Sequence, residues 1–136
     1  YFFLYQRFRQ KTNYLIGLRN RLIKNEKYKE ICFFGAKDTV YYRRLLKLLA
    51  REGINKPLFF VDNTSARWGT KLDDKDIFPP EVLRERSGSC LVIVLAYNHF
   101  DSIAEQLSVM GYYRDIDVLN PREFFFEEDI ERIIAL

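Results

Sequence analysis

The chain has 136 residues, 48% apolar and 16% aromatic, which fits one domain with a sizeable core and at most a short appendage. The net charge of +3 is unevenly spread: residues 1–30 hold eight Lys or Arg against two Glu, whereas residues 31–136 hold fourteen against seventeen acids. A slightly acidic body argues against nucleic acid as a partner, and the lack of any apolar run near about 18 residues argues against a membrane span.

Starting at Tyr1 and ending at Ile-Ile-Ala-Leu, the chain reads as a piece of a larger protein. Gln6, Arg7, Arg9 and Lys11 interrupt the opening aromatic stretch, which excludes a signal-peptide core. Leu4, Phe8, Leu15, Leu18 and Leu22 predict a basic amphipathic helix over 2–25, with Lys11 breaking its stripe. So much apolar surface needs a partner, either a neighbouring domain of the same protein or a second copy in a homodimer. Glu26–Glu30 reads as a polar hinge. The domain reading is therefore 1–28 for the helix and 29–136 for the body.

From residue 31 the period changes. Ile31-Cys32-Phe33-Phe34 is a continuous apolar run ending at Gly35, the pattern of a strand buried on both faces. Asp38 or Thr39 can cap a helix whose face is Tyr41, Leu45, Leu48 and Leu49 and which stops at Gly53. Leu58–Val61 predicts a second buried strand, 63–79 a polar stretch with short turns, and Pro79-Pro80 the opening of a brief helix through Arg86. Leu91–Ala96 predicts a third strand. Ser102 and Glu105 are spaced as a capping box for a helix closed by Gly111. A short strand at 116–119 and a terminal helix at 127–135 complete the series.

Strand and helix alternating in this way predict an α/β fold: a three-layer, Rossmann-like domain with a mostly parallel sheet of four or five strands, preceded by the N-terminal amphipathic helix. The run at 31–34 should be central, with 58–61 on one side and 91–96, then 116–119, on the other.

Phe34-Gly35-Ala36-Lys37-Asp38-Thr39-Val40 sits where a dinucleotide fold places its glycine-rich phosphate turn. Only the first Gly is present. Lys37 occupies the position of the second, where a Cβ obstructs close approach of pyrophosphate, and Val40 that of the third. Asp38 adds a negative charge beside the helix N-terminus, while the Lys37 ammonium could itself contact phosphate. The turn is thus either a ligand site or a structural relic. Asp62, ending the second strand, stands where an acid often meets ribose hydroxyls; alternatively Asp62 and Asn63 shape a turn.

The run Val61-Asp62-Asn63-Thr64-Ser65-Ala66-Arg67-Trp68-Gly69, followed by Ile77-Phe78-Pro79-Pro80-Glu81-Val82-Leu83 and by Ile103-Ala104-Glu105-Gln106-Leu107 to Gly111, resembles a Rossmann-like module of bacterial surface-polysaccharide proteins. Such modules accompany sugar transferases and methyltransferases and form the nucleotide-binding part of nucleotide-sugar dehydratases and acyltransferases. The resemblance spans about residues 29–125. It implies a cytoplasmic accessory domain, not catalytic alone, that binds NAD(P) or a nucleotide-sugar weakly through Gly35, Ala36, Lys37, Asp38, Thr39, Asp62, Asn63, Ala96 and Tyr97. Two alternatives stay open: the cofactor half of a dehydratase, epimerase or transferase, and a purely structural interaction module.

Other chemistry is thinly represented. His99, the one histidine, follows the third strand and reads as a helix-start residue. There is no Gly-x-Ser-x-Gly elbow and no Tyr-x-x-x-Lys pair. Asp73, Asp74 and Asp76 read as a solvated turn rather than a cation site, and Glu127, Glu128 and Asp129 suit a helix start. Arg67 and Trp68 offer a cation–π pair or a packing contact at the sheet edge. Cys32 and Cys90 adjoin apolar runs, which predicts buried free thiols in a reducing compartment over a disulfide or metal pair.

Overall fold

The computed structural model of the chain describes residues 26–123 together with Phe125 and Ile134. The N-terminal helix at 2–25, any homodimer through it, and all but these last two positions of the C-terminal segment fall outside the described residues.

Six strands form one mixed, mostly parallel sheet: β1 (Glu30–Phe34), β2 (Leu58–Val61), β3 (Lys71–Leu72), β4 (Lys75–Phe78), β5 (Cys90–Val94) and β6 (Val118–Leu119). Their order is β3-β4-β2-β1-β5-β6, and every neighbouring pair is parallel except β3 with β4. The fold class is α/β. The central position of β1 follows from its composition, since a strand paired on both edges and covered on both faces must be apolar throughout.

Alternation along the strands divides the core in two. Ile31, Phe33, Phe60, Leu91 and Ile93 pack with Tyr42, Leu45, Leu48 and Leu49 of helix α1 (Val40–Arg51). Cys32, Phe34, Phe59, Val61, Val92 and Val94 pack with Phe100, Ile103 and Leu107 of helix α2 (Phe100–Ser108). Register places Phe33 between Phe60 and Ile93, and its ring meets Tyr42 edge-on at 5.2 Å. Each fully buried side chain of this size stabilises by about 1.5–3 kcal/mol relative to exposure.

Several expectations are corrected. The sheet has six strands, not four or five, because the polar stretch 63–79 contains the β3–β4 hairpin. Asp73 and Asp74 occupy its tip with φ of +52° and +60°, a left-handed pair usually signalled by Asn-Gly or Asp-Gly. The inward tyrosine of α1 is Tyr42 rather than Tyr41, one step of helix rotation away. Thr39 does cap that helix, its hydroxyl accepting from the Tyr42 amide at 3.2 Å. The capping box at Ser102 is not formed. A 3-10 turn, Tyr97–His99, runs directly into α2, and the Ser102 hydroxyl donates to the His99 carbonyl at 3.0 Å. Nor is 26–30 a free hinge: Tyr28 is buried, and Glu30 opens β1 and meets Arg86 at 2.6 Å.

Candidate functional site

The carboxyl ends of β1, β2 and β5 converge on a cleft of about 620 Å³. β1 and β5 are neighbours, yet the helices that follow them cover opposite faces. Their connections therefore part above the sheet, which is where open α/β sheets bind ligands. The volume lies in the range of small-ligand sites.

Three segments wall the cleft. The first is the turn after β1, contributing Gly35, Lys37 and Thr39. Gly35 has φ +106°, and a Cβ there would lie 3.1 Å from the Ala96 nitrogen and 3.2 Å from its Cβ, so only glycine allows the turn to sit on the β5 exit. The second is the β2 exit, contributing Asp62, Asn63, Thr64 and Arg67; the third is the β5 exit, contributing Ala96, Tyr97, Asn98 and His99, with Ser102 and Ile103 of α2. Tyr97 is held edge-on against Tyr41 at 5.4 Å.

Asp62 organises the wall. It is 8% exposed. One carboxylate oxygen accepts the Ala36 amide at 2.8 Å and the other accepts the Thr64 amide at 2.8 Å. Arg67 Nη1 lies 3.7 Å from the carboxylate and also donates to the Ala36 carbonyl. The Trp68 indole donates to the Asp62 carbonyl at 2.6 Å. Burial alone would raise the Asp62 pKa, but the Ala36 and Thr64 donors and Arg67 outweigh it and hold the carboxyl below the usual range.

The nine residues expected from sequence do not all share one role. Gly35, Lys37, Thr39, Asp62, Asn63, Ala96 and Tyr97 line the cleft. Ala36 is buried and bonded to Asp62. Asp38 points its charge elsewhere: Arg43 Nε and Nη2 reach its carboxylate at 2.8 and 2.6 Å. The expected repulsion of phosphate by Asp38 is thereby largely answered within α1. Asn63 exchanges amide bonds with Gln106 at 3.0 and 2.9 Å, linking the β2 exit to α2.

Arg67 was missed as a lining residue because it was paired with Trp68. The two instead donate separately, to Ala36 and to Asp62. Thr64 and Asn98 carry no signal beyond their places after strand ends, and Ser102 reads only as a helix cap. Lys37 is exposed and makes no ion pair among the described residues, so the cleft presents one uncommitted ammonium, a partly committed guanidinium and a carboxylate already bonded to backbone. That balance suits an anion.

Elsewhere, Asp73 accepts from the Tyr42 hydroxyl at 2.5 Å and pairs with Lys75 at 3.4 Å, which accounts for the acidic turn. No cluster of three metal-ligating side chains occurs among the described residues. Cys32 and Cys90 are free and buried, as expected. Burial pushes both thiols up, Cys90 to about 12. No helix of the described residues is long and apolar enough to cross a membrane.

No family model, curated protein or solved structure matches the chain.

Proposed function

We propose that this chain is an accessory, Rossmann-like domain of three layers from a cytoplasmic glycan-biosynthesis protein, and that its cleft takes a nucleotide or nucleotide-sugar. The observation carrying this reading is the cleft itself: about 620 Å³ at the parting of the β1 and β5 connections, lined by Lys37, which makes no ion pair among the described residues. The resemblance of the 61–69 and 77–83 runs supplies the glycan context. The reacting groups would then lie on other domains of the same protein, and this domain would supply binding energy and position.

The purely structural module remains the second reading, favoured by one observation. The Ala36 amide, which a phosphate-binding turn would offer to ligand, is bonded to Asp62. Titration calorimetry with UDP, UDP-glucose and NAD separates the two. Saturable binding of a uridine ligand, weakened by Lys37→Glu, supports the ligand site. Heat-silent titrations with all three, together with an unshifted melting temperature, support the structural module.

A further inference from the structure

We infer that the cleft is specific for a single-nucleotide anion, a nucleoside mono- or diphosphate either free or sugar-linked, and that Asp62 is a clamp on the phosphate turn rather than a ribose receptor. The inference rests on the cleft being a nucleotide site and narrows its ligand class.

Four observations carry it. First, a dinucleotide is bound across two mononucleotide halves of a doubly wound sheet. Here β1, α1 and β2 supply one half, whereas in the β5–α2–β6 unit that follows, the closing strand β6 has only two residues. Second, the leading amides of the turn are already engaged. The Ala36 N–H donates to Asp62, and the Lys37 N–H donates to the Gly35 carbonyl at 3.0 Å. A pyrophosphate would have to displace these bonds to lie on the backbone, as it does in a glycine-rich turn. Third, each Asp62 oxygen already accepts a backbone N–H group and the side chain is only 12% exposed, so a ribose diol meets a carboxylate largely turned into the fold. Fourth, the cations that remain are side chains, Lys37 on one wall and Arg67 on another. Phosphate recognition through flexible side chains tolerates the Cβ at position 37 that excludes backbone contact.

Asp62 thus acts on the ligand indirectly, as a positioning residue. It fixes the turn through Ala36 and fixes Arg67 through its carboxylate, so that the guanidinium stands at the cleft wall.

Calorimetry on the full chain with UMP, UDP, UDP-glucose and NAD tests this, using the wild type, Lys37→Ala and Asp62→Asn. Lys37 is exposed and Asn can still accept one of the two amides, so both variants should fold. The expected result is NAD at least about 10-fold weaker than the best uridine ligand. Lys37→Ala should weaken UDP about 10-fold, and Asp62→Asn by less than about 3-fold, with faster hydrogen exchange at the Ala36 amide. UDP and UDP-glucose together show whether the free or the sugar-linked nucleotide is preferred. NAD bound as tightly as UDP, or loss of binding on Asp62→Asn with Ala36 still protected, overturns the inference while leaving the cleft a nucleotide site. Absence of binding by all four removes the nucleotide site itself, and the inference with it.

Discussion

Two buried aspartates sit at opposite ends of the same parallel sheet. Asp117, 2% exposed, precedes β6 at the amino edge; Asp62, 8% exposed, follows β2 at the carboxyl edge. Both carboxylates accept a backbone amide: Tyr113 on Asp117 at 3.0 Å, Ala36 and Thr64 on Asp62 at 2.8 Å. Asp117 adds the buried Tyr28 hydroxyl at 2.6 Å and so ties the residues before β1 to those before β6. Each also has a cation at 3.7 Å, Lys27 on Asp117 and Arg67 on Asp62, but of the two it is Asp62 that borders a cleft. Similar chemistry thus does different work at the two edges. In a parallel sheet the connections diverge over the carboxyl ends, leaving space for a ligand, while at the amino ends a buried carboxylate has only the fold to hold.

This contrast predicts a ranking of effects. Asp117→Ala should be the most destabilising, by about 3 kcal/mol, because the Tyr113 amide loses its carboxylate and the buried Tyr28 hydroxyl is left with only the longer 3.3 Å contact to the Ile116 carbonyl, where water has little access. Chemical denaturation should show the loss with nucleotide binding to the folded fraction unchanged. Asp62→Ala should cost about 2 kcal/mol, because water in the cleft can partly replace the lost acceptor. A larger loss at Asp62 than at Asp117 would reverse the ranking.

Acid sharpens the comparison further. The Asp62 pKa is depressed on folding, so its stabilisation is fully present above the unfolded value of about 3.9 and fades as pH falls through the lower folded value. The stability gap between wild type and Asp62→Asn should therefore be constant from about pH 7 to 5 and narrow below about pH 4. A gap that widens on acidification would mean that the carboxylate is not stabilised in the fold. The smallest effect belongs to Gln106→Ala, about 0.5 kcal/mol or less, since its exposed bonds to Asn63 exchange readily with water.

The buried strands were legible in sequence because their signal is local: Ile31–Phe34, Leu58–Val61 and Cys90–Val94 are unbroken apolar runs. The β3–β4 hairpin was not, since β3 has two residues, β4 begins Lys75-Asp76, and the tip lacks glycine. At the site, Gly35, Lys37 and Asp62 were legible from their places after strand ends. What Asp62 does was not legible. Its spacing from Gly35 suits either a ribose receptor or a clamp on the turn, and only the 2.8 Å contact with the Ala36 amide separates these roles. Asp38 shows the same limit: its charge was visible, but not the Arg43 fork five residues on that holds it.

The central claim is that the turn is clamped by Asp62 while ligand is read by side chains. The most direct measurement is an amide-resolved NMR titration with UDP. Amide shifts should concentrate at Lys37–Thr39, Thr64–Arg67 and Ala96–His99. The Ala36 amide should keep its exchange protection and should titrate with a carboxyl below the usual Asp range as pH is lowered. Loss of Ala36 protection on UDP binding, or shifts centred away from these three segments, would contradict the account.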